Sequence, residues 1–500
     1  MSEMLNLDQW KDKASNLSFQ NKAFIGGQYV ASASGETFDC ISPRDGSLLT
    51  QVANCSEEDV DRAVAAARTA FEKGDWRNMA PKDRKAALLK FAQLIEDDME
   101  ELALLETLDM GKPIKYSMAA DIPGAVKTLR WYGEAIDKIY DRIAPTRTDA
   151  LVLVTHEPMG VVAAVMPWNF PLYLSYGWKV APALAAGNSV ILKPAEQSPL
   201  TALRAAELAV TAGIPEGVFN VVPGIGELTG RALGLHMDVD CITFTGSTEI
   251  GKKFLEYSGQ SNMKRVSLEC GGKSPHIIMN DCPDLDKAAN VAASGIFFNQ
   301  GEVCDAGSRL IVQEGVKDEM VERLVAESKS YQPLDPLDPE AENGAMVDEI
   351  QMNRVLGYIE SGKSQGAELV AGGERVLEET GGFYLPPTIF DKVDNKMTIA
   401  QEEIFGPVLS VISCKDVDDA VRIGNDTTYG LAAAIWTRDI TTAHRAAREL
   451  RAGYVSVNTY NGSDLSAPFG GYKQSGMGRD KSIDAIHKYC EVKTTWVELS

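Results

Sequence analysis

Cys304 is the residue whose side chain would allow covalent catalysis. It lies in the stretch FFNQGEVCDAG, in a polar, glycine-bounded turn just past an apolar helix. A free thiol with a pKa near ~8.5 is only slightly ionised at neutral pH, but its thiolate is a strong nucleophile. Most buried cysteines are inert packing residues, and no histidine lies nearby in the sequence to form a cysteine–histidine pair.

Glu269 and Asn169 could complete a catalytic group around this thiol. Glu269 ends an apolar strand before Cys270-Gly271-Gly272, which suits a general base, although most glutamates are solvated surface groups. Asn169 lies between Pro167 and Pro171, which restrict its backbone. Its amide can donate to an oxyanion, and the alternative interpretation is ordinary turn chemistry.

Glycines and charges at other strand ends indicate an anion or nucleotide site. VPGIGELTG has the spacing G-x-G-x-x-x-G, an imperfect dinucleotide fingerprint. In FTGSTEIG, Gly246 permits close backbone approach and Ser247 opens a helix whose free N–H groups attract anions. Lys193 and Glu196 follow the strand SVILKP, where a ribose ligand lies in dinucleotide folds, or else form a solvated loop pair.

These residues follow short apolar strands that alternate with helices. From about Met159 to Gly272, continuous β-branched runs alternate with helical segments, which predicts a parallel sheet covered on both faces. A second α/β series begins near Asp284. Ligands bind such sheets at the carboxyl ends of the strands, so Asn169, Lys193, Gly246 and Glu269 are the positions that matter.

The flanking segments predict helices and two detached strands. Ser56-Glu57-Glu58-Asp59 has capping-box spacing, and a second helix is expected from Pro81 until Gly111 and Pro113 stop it. The strands ALVLVTHEP (Ala150 to Pro158) and TTWVELS either mediate subunit pairing or form a local surface hairpin.

Composition excludes several classes of protein. The chain has 500 residues, so at least two domains are expected, and a net charge of −22 argues against nucleic-acid or membrane binding. The eight cysteines include no C-x-x-C pair, and the five histidines are isolated. We therefore expect a cytoplasmic protein with no bound metal and no signal peptide or membrane span.

Seven stretches, in coherent order and spacing, resemble the NAD(P)-dependent aldehyde dehydrogenase superfamily: PWNFP, GNSVILKPAEQSP, FTGSTEIG, LECGGKSP, FFNQGEVC, EEIFGPV and PFGGYKQSGMGRD. Four others resemble its bacterial members that act on ω-amino, γ-glutamylamino or guanidino aldehydes of polyamine and arginine breakdown: ETLDMGKPI, RWYGEAIDKIY, NTYNGSD and GRDKSIDAIHKY.

The resemblance implies an α/β fold with a Rossmann-type cofactor domain, a second α/β catalytic domain and a small β oligomerisation arm. It places the NAD-binding domain at 1–140 and 160–271, the catalytic domain at 272–478, and the bridging segments at 141–159 and 479–500. A homodimer or homotetramer is expected.

It also implies roles for the residues singled out above. Cys304 would attack the aldehyde carbon, Asn169 and the Cys304 N–H would hold the oxyanion, and Glu269 would activate the hydrolytic water. Lys193 and Glu196 would hold the adenosine ribose, which favours NAD over a weaker NADP. The cofactor-binding residues implied are Met166, Trp168, Lys193, Glu196, Gly226, Gly246, Ser247, Gly271, Glu403 and Phe405.

The substrate tunnel implied by the resemblance is rich in aromatic and acidic residues. Its members are Phe170, Leu174, Trp178, Glu302, Val303, Asp305, Asn461, Ser463, Asp464 and Phe469. Acids near the mouth favour a cationic tail on the aldehyde, with Asp305 or Glu302 facing the entrance. The alternatives are a broad aliphatic aldehyde dehydrogenase and a catalytically silent structural relative.

Two departures from the family pattern bear on these roles. The position after Gly478-Arg479 is often Glu in the family and is Asp480 here, which weakens the case for a proton relay. Glu302 and Asp305 stand where Gln and a neutral residue are common.

Overall fold

The computed structural model describes residues 4–460, 462 and 464–499. In chain order the strands are β1 (Ala23–Ile25), β2 (Gln28–Val30), β3 (Thr37–Ile41), β4 (Leu48–Ala53), β5 (Arg142–Ala144), β6 (Ala150–Pro158), β7 (Val161–Val165), β8 (Ser189–Lys193), β9 (Phe219–Val221), β10 (Cys241–Gly246), β11 (Arg265–Cys270), β12 (Pro275–Ile278), β13 (Arg309–Gln313), β14 (Glu368–Ala371), β15 (Thr388–Asp391), β16 (Val408–Cys414), β17 (Ala432–Trp436), β18 (Tyr454–Val457), β19 (Gly476–Met477) and β20 (Cys490–Glu498).

The α-helices are α1 (Leu7–Ser15), α2 (Glu57–Lys73), α3 (Pro81–Asp97), α4 (Met99–Met110), α5 (Ile114–Tyr116), α6 (Ile122–Ala135), α7 (Ala181–Ala186), α8 (Leu200–Thr211), α9 (Arg231–Leu235), α10 (Thr248–Gln260), α11 (Leu285–Phe297), α12 (Lys317–Glu327), α13 (Glu349–Ser364), α14 (Thr398–Gln401), α15 (Val417–Asn425), α16 (Ile440–Glu449) and α17 (Asp484–His487). Segments Ser117–Asp121, Tyr173–Val180 and Gly226–Gly230 are π-helical. Within the described residues, no helix has the length and apolarity needed to cross a membrane.

The first sheet has the strand order β19-β11-β10-β7-β8-β9-β1-β2. Its centre, from β11 to β9, is parallel, and β1, β2 and β19 are added antiparallel at the two sides. Strands β7 and β8 are buried at every residue, because helices cover both faces of a parallel sheet. The prediction of an α/β fold with a parallel sheet from about Met159 to Gly272 is confirmed.

The second sheet has the order β14-β15-β16-β13-β12-β17-β18 and is parallel except for β14. A third sheet, β20-β6-β5, joins the two segments predicted as detached strands, with Cys490 opposite Pro158 and Glu498 opposite Ala150. Strand β19 lies within 272–478 but pairs with β11 of the first sheet, so this range contributes to both sheets. The domain boundaries stay a prediction.

The helix expected to run unbroken from Pro81 is interrupted. The capping box at Ser56 and Asp59 forms as predicted, but α3 ends at Asp97 and α4 begins at Met99. Asp98 leaves helical geometry, and its carboxylate lies 3.0 Å from the Arg204 guanidinium. A tertiary ion pair at this position accompanies the break, and helical periodicity alone carries no sign of such a contact.

A buried charge cluster joins α4 to the following helices. The Lys112 ammonium is completely buried and lies 3.2 Å from Glu106 and 2.7 Å from Asp121. It also lies 4.0 Å from the centroid of the Phe170 ring. Burial raises the pKa of both carboxyl groups, and Lys112 opposes this shift.

We expect Lys112→Met to destabilise the protein by about 3–5 kcal/mol, since it leaves two buried carboxyl groups without their countercharge. Urea unfolding followed by circular dichroism measures the change. The matched control is Lys13→Met, which removes an exposed ion pair to Glu100 and should cost about 0–1 kcal/mol. Equal losses for the two variants would contradict the importance of the buried cluster.

Candidate active site

Cys304, Glu269 and Asn169 line one pocket of about 670 Å³ at the carboxyl ends of the strands in the first sheet. Asn169 follows β7, and Glu269 is the penultimate residue of β11. The pocket is lined by Pro167, Trp168, Asn169, Leu174, Thr245, Gly246, Ser247, Glu269, Cys270, Gly271, Cys304, Gln351, Arg354, Glu403 and Phe405. Residues from both parallel sheets therefore meet at the predicted nucleophile.

The loop that carries Cys304 has an unusual backbone. Asn299, Gln300 and Gly301 have φ of 50°, 57° and 71°, three successive residues with positive φ that begin two residues after the end of α11 at Phe297. At Gly301 a Cβ would lie 2.2 Å from the Gly406 carbonyl oxygen, so only glycine fits there. The Gln300 side chain fixes the turn by donating to the Ala345 carbonyl (3.0 Å) and accepting from the Gly344 N–H (3.2 Å). Side-chain contacts hold this strained geometry.

Asn169 is oriented by the same loop. Its Nδ2 donates to the Glu302 carbonyl at 2.8 Å, two residues before Cys304, and the side chain is buried. Asn299 Nδ2 donates to the Asn169 carbonyl at 3.2 Å. An amide nitrogen carries two protons, so one is used for orientation and a second can serve an oxyanion.

The Glu269 carboxylate is buried, and neither of its oxygens has a hydrogen-bond partner within the described residues. Gly470 lies against it, since a Cβ at that glycine would be 2.7 Å from Glu269 Oε1. Burial, followed by the negative charge of Asp480, raises the pKa of Glu269 to about 8. A carboxyl group that titrates near physiological pH suits proton transfer.

The surroundings of Cys304 disfavour its thiolate form. Burial raises its pKa well above the ordinary range, and the negative charges of Asp305, Glu403 and Glu269 raise it further. The backbone N–H of Asp305 opposes this shift. Burial is therefore the larger cause, and the neighbouring acids add to it.

A groove of about 1000 Å³ continues from the pocket across the strand ends. It is lined by Met166, Trp168, Lys193, Glu196, Gly226, Gly246 and Ser247, all predicted for the cofactor, together with residues of α10. Lys193 Nζ donates to Glu196 at 3.0 Å. Burial opposes ionisation of Glu196, but Lys193 and the Gly226 N–H hold its pKa below the ordinary range.

The remaining cofactor candidates lie on the other side of the pocket. Glu403 accepts a hydrogen bond from the Gly272 N–H at 3.2 Å, and a Cβ at Gly271 would lie 1.8 Å from its carboxylate. Only a residue without a side chain leaves room for Glu403 there. The Phe405 ring stands edge-on to Trp168 with centroids 5.1 Å apart.

The aromatic residues predicted for a tunnel lie near the pocket. Trp178 and Phe469 are in edge contact at 5.2 Å, and Phe170 is stacked on Phe298 at 6.4 Å. Leu174 lines the pocket, and Val303 is partly buried against the apolar core of the second sheet. Asp464 is exposed and bonds to Ser466, while Asn461 and Ser463 lie outside the described residues.

Glu302 does not lie at the tunnel entrance. It is completely buried, is not among the pocket-lining residues, and its carboxylate accepts a hydrogen bond from the Val347 N–H at 3.1 Å. The expectation that Glu302 faces the entrance is wrong, because its side chain is buried and accepts a hydrogen bond from the backbone of Val347.

Lys481 is a residue near the tunnel that sequence reasoning missed. It is 6% exposed, and its ammonium lies 4.8 Å from the Trp178 ring and 5.3 Å from the Phe469 ring. Its charge acts on both Asp305 and Cys304. Lys481 and Ser482 both have positive φ, at 58° and 48°, and this backbone geometry had no sign in the sequence. Gln351 and Arg354, which line the pocket, were also missed.

No cluster of metal-ligating side chains occurs among the residues that the structure describes.

Comparison with known proteins identifies the class of protein that this fold and pocket define. The aldehyde dehydrogenase family matches residues 29–495, and the chain belongs to that family.

Particular relatives cover almost the whole chain. The NADP/NAD-dependent aldehyde dehydrogenase PuuC of Escherichia coli (strain K12) is 51% identical over 99% of both chains. The structure of gamma-glutamyl-gamma-aminobutyraldehyde dehydrogenase from Burkholderia cenocepacia has a TM-score of 0.98, 57% identity, and covers 99% of this chain and 100% of its own. P. syringae AldA, an indole-3-acetaldehyde dehydrogenase in complex with NAD+ and IAA, has the same TM-score and coverage with 58% identity.

The raised pKa of Cys304 predicts slow alkylation by iodoacetamide at neutral pH in the enzyme without cofactor. The thiol form dominates until the pH approaches the raised pKa, so the rate should climb with alkaline pH without levelling off near neutrality. Mass spectrometry of the labelled peptide measures it, with Cys304→Ser as the control. A plateau already reached at neutral pH would contradict a protonated resting thiol.

Proposed function

We propose that this protein oxidises an aldehyde to the carboxylic acid with NAD, through a covalent intermediate on Cys304. The observation that carries the proposal is the meeting of Cys304, Asn169 and Glu269 in one pocket, which opens into the groove at Lys193 and Glu196. Nucleophile, oxyanion donor, base and a dinucleotide-sized groove are the parts that this reaction needs.

The residues of the chain divide the reaction between them. The Cys304 thiol releases its proton to solvent water as Sγ bonds to the aldehyde carbon, and Asn169 Nδ2 and the Cys304 N–H hold the oxygen that becomes negative. NAD, when bound, supplies the acceptor for the hydride that leaves this carbon. Glu269 then takes a proton from the water that attacks the thioester, so that the carboxylate leaves and the Cys304 thiol is restored.

The groove fits the cofactor. Ser247 caps α10 by accepting from the Ile250 N–H at 3.3 Å, and the free N–H groups at this helix start suit a pyrophosphate. The Lys193–Glu196 pair suits ribose hydroxyls, and an ionised Glu196 repels a 2′-phosphate. We therefore propose NAD as the preferred cofactor and NADP as a weaker one. Glu403 and Phe405 would hold the nicotinamide riboside.

Cys304→Ala should lower the rate of NADH formation at least ~10³-fold, because it removes the nucleophile, and burial raises the pKa of Cys270, the second thiol that lines the pocket, to about 12. Glu269→Gln should lower turnover by about 10²–10³-fold, because only the hydrolysis step loses its base. NADH absorbance after rapid mixing separates the two steps. The Glu269→Gln variant should still form about one NADH per active site in a first phase, whereas the Cys304→Ala variant should form none.

Two outcomes would refute these roles. An unchanged rate for Cys304→Ala would remove the nucleophile from the scheme. If Glu269→Gln is correctly folded and binds NAD normally but loses the first phase, Glu269 is needed before or during hydride transfer and not only for thioester hydrolysis.

We propose that the preferred aldehyde has a nitrogen-containing polar chain, of the ω-amino, γ-glutamylamino or guanidino type. The printed name of the Burkholderia cenocepacia relative, a gamma-glutamyl-gamma-aminobutyraldehyde dehydrogenase, supports this class. Glu302 is buried away from the pocket, so Asp305 is the predicted tunnel acid whose charge affects the pKa of Cys304. The positive charge of Lys481 in turn lowers the pKa of Asp305. A chain end with both a carboxylate and an ammonium, as in a γ-glutamylamino aldehyde, complements this pair better than a simple cation.

An aromatic aldehyde is the second candidate. Trp178 is in edge contact with Phe469, and Phe170 is stacked on Phe298. Aromatic surfaces of this kind suit a flat substrate, and the P. syringae relative is named for indole-3-acetaldehyde. For such a neutral substrate, the charges of Asp305 and Lys481 would have little effect on recognition.

Charge removal distinguishes these candidates. Lys481→Met should raise KM for a γ-glutamylamino aldehyde by about tenfold, which corresponds to the loss of one charge-assisted contact, and should change KM for indole-3-acetaldehyde much less. Asp305→Asn should raise KM for 4-aminobutyraldehyde selectively. Steady-state kinetics with the three aldehydes measure the differences. Equal changes in KM for all three aldehydes would show that neither Lys481 nor Asp305 recognises the charge of the substrate.

We also propose a homodimer or homotetramer in the cytoplasm, assembled through the third sheet. The outer strand β20 exposes Val492, Trp496 and Val497, and apolar side chains on a strand that lies at the edge of its sheet suit pairing between subunits.

A further inference from the structure

Asp480 lies between two lysines, in a segment that approaches Glu269: a Cβ at Gly470 would lie 2.7 Å from Glu269 Oε1 and 2.9 Å from Cδ of Arg479, the residue before Asp480. Lys179, in the π-helical segment Tyr173–Val180, contacts one carboxylate oxygen of Asp480, and Lys488 contacts the other. Asp480 and Lys179 are fully buried, and the Lys488 side chain is 13% exposed. Both oxygens of a buried carboxylate therefore have a cationic partner, and these partners hold the pKa of Asp480 below its ordinary value although burial opposes this.

Glu269 experiences these charges without a hydrogen bond of its own. After burial, the negative charge of Asp480 is the largest influence that raises its pKa, while Lys179, Lys488 and Arg479 lower it. Other titratable groups act on the same two carboxyl groups: Cys270 and Cys304 on Glu269, and Tyr132, Tyr489 and Lys481 on Asp480. The tyrosines and Cys304 have raised pKa values from burial and are neutral, so the charges around Glu269 come from the lysines, Arg479 and Asp480.

Lys488 is held in place by the residues that lead into strand β20 of the third sheet. The carbonyl of the next residue, Tyr489, accepts hydrogen bonds from the Met159 N–H (3.3 Å) and from Asn188 Nδ2 (3.0 Å). Strand β20 begins at Cys490 and pairs along its length with β6. The ammonium that contacts Asp480 therefore lies two residues before the third sheet, and the packing of that sheet sets its position.

We propose that Lys488 is a positioning residue for the hydrolysis step, which binds the Asp480 carboxylate and supplies a positive charge that keeps Glu269 available as a base. This inference rests on the proposed role of Glu269. Because Lys488 lies two residues before β20, the protonation of Glu269 depends on the pairing of β20 with β6.

The direction of the effect follows from the charges. Without Lys488, Asp480 keeps its direct contact with Lys179 and stays anionic, while Glu269 loses a nearby cation. The pKa of Glu269 therefore rises, and the deprotonated base appears only at higher pH. For charges separated by several ångströms in a partly buried site, the shift should be about 0.5–1.5 pH units.

The test uses acyl-enzyme hydrolysis in the full-length protein without cofactor. p-Nitrophenyl acetate transfers its acetyl group to the Cys304 thiol and releases p-nitrophenol, and water then hydrolyses the thioester to acetate. Mass spectrometry follows the loss of the acetyl group across mildly acidic to alkaline pH. In Lys488→Met the midpoint of this pH profile should move to higher pH, and Lys488→Arg should restore it.

Matched variants separate the charge effect from structural damage. Lys493→Met removes an exposed cation of β20 that pairs with Glu157. This variant should leave the midpoint of the pH profile unchanged. Lys488→Gln keeps a hydrogen-bond donor without the charge and should give the same alkaline shift as Lys488→Met. An unmoved or acid-shifted midpoint in both Lys488 variants, with Lys488→Gln folded, overturns the inference.

Glu269→Gln separates this result from failure of the proposed function. It should abolish the ionisation seen in the wild-type profile. If the ionisation persists in Glu269→Gln, the base is another group and the proposed role of Glu269 fails. If it disappears in Glu269→Gln but does not move in the Lys488 variants, only the inference about Lys488 fails.

Discussion

The parallel register of the central strands in the first sheet is the constraint on which the active site depends. Val165 of β7 is level with Lys193 of β8 and with Phe244 of β10, and Thr245 of β10 is level with Glu269 of β11. Because these strands run in the same direction, the segments that follow them emerge at one edge of the sheet. A shift of one strand by a single residue would turn its side chains to the opposite face and separate the base from the nucleophile.

Burial brings the catalytic groups together and also disfavours their ionised forms. The same exclusion of water that gathers Cys304 and Glu269 raises the pKa of each, so nucleophile and base are both protonated more readily than in water. For Glu269 the protein partly offsets this shift with the cations Lys179 and Lys488, which contact Asp480. These buried charges therefore influence the pH at which Glu269 can act as a base.

Much of the fold was predictable from local patterns. Continuous β-branched runs predicted β7, β8, β10 and β11, and the capping-box spacing predicted the start of α2. The helix break at Asp98 and the inward turn of Glu302 were not, because each accompanies contacts with residues distant in the chain. The pairing of β20 with β6 was not predicted, since a short strand pattern does not state its partner.

The sequence by itself determined the chemical inventory of this protein: a thiol after an apolar helix, a carboxylate at a strand end and an amide between two prolines. The tertiary structure decided which of these groups face one another and in what state of protonation. Asn169 reaches the Glu302 carbonyl across 133 positions of the chain, and Lys179 reaches Asp480 across 301. Side-chain direction and pKa depend on such long-range neighbours and on the water that they exclude, and no local pattern of residue types records either.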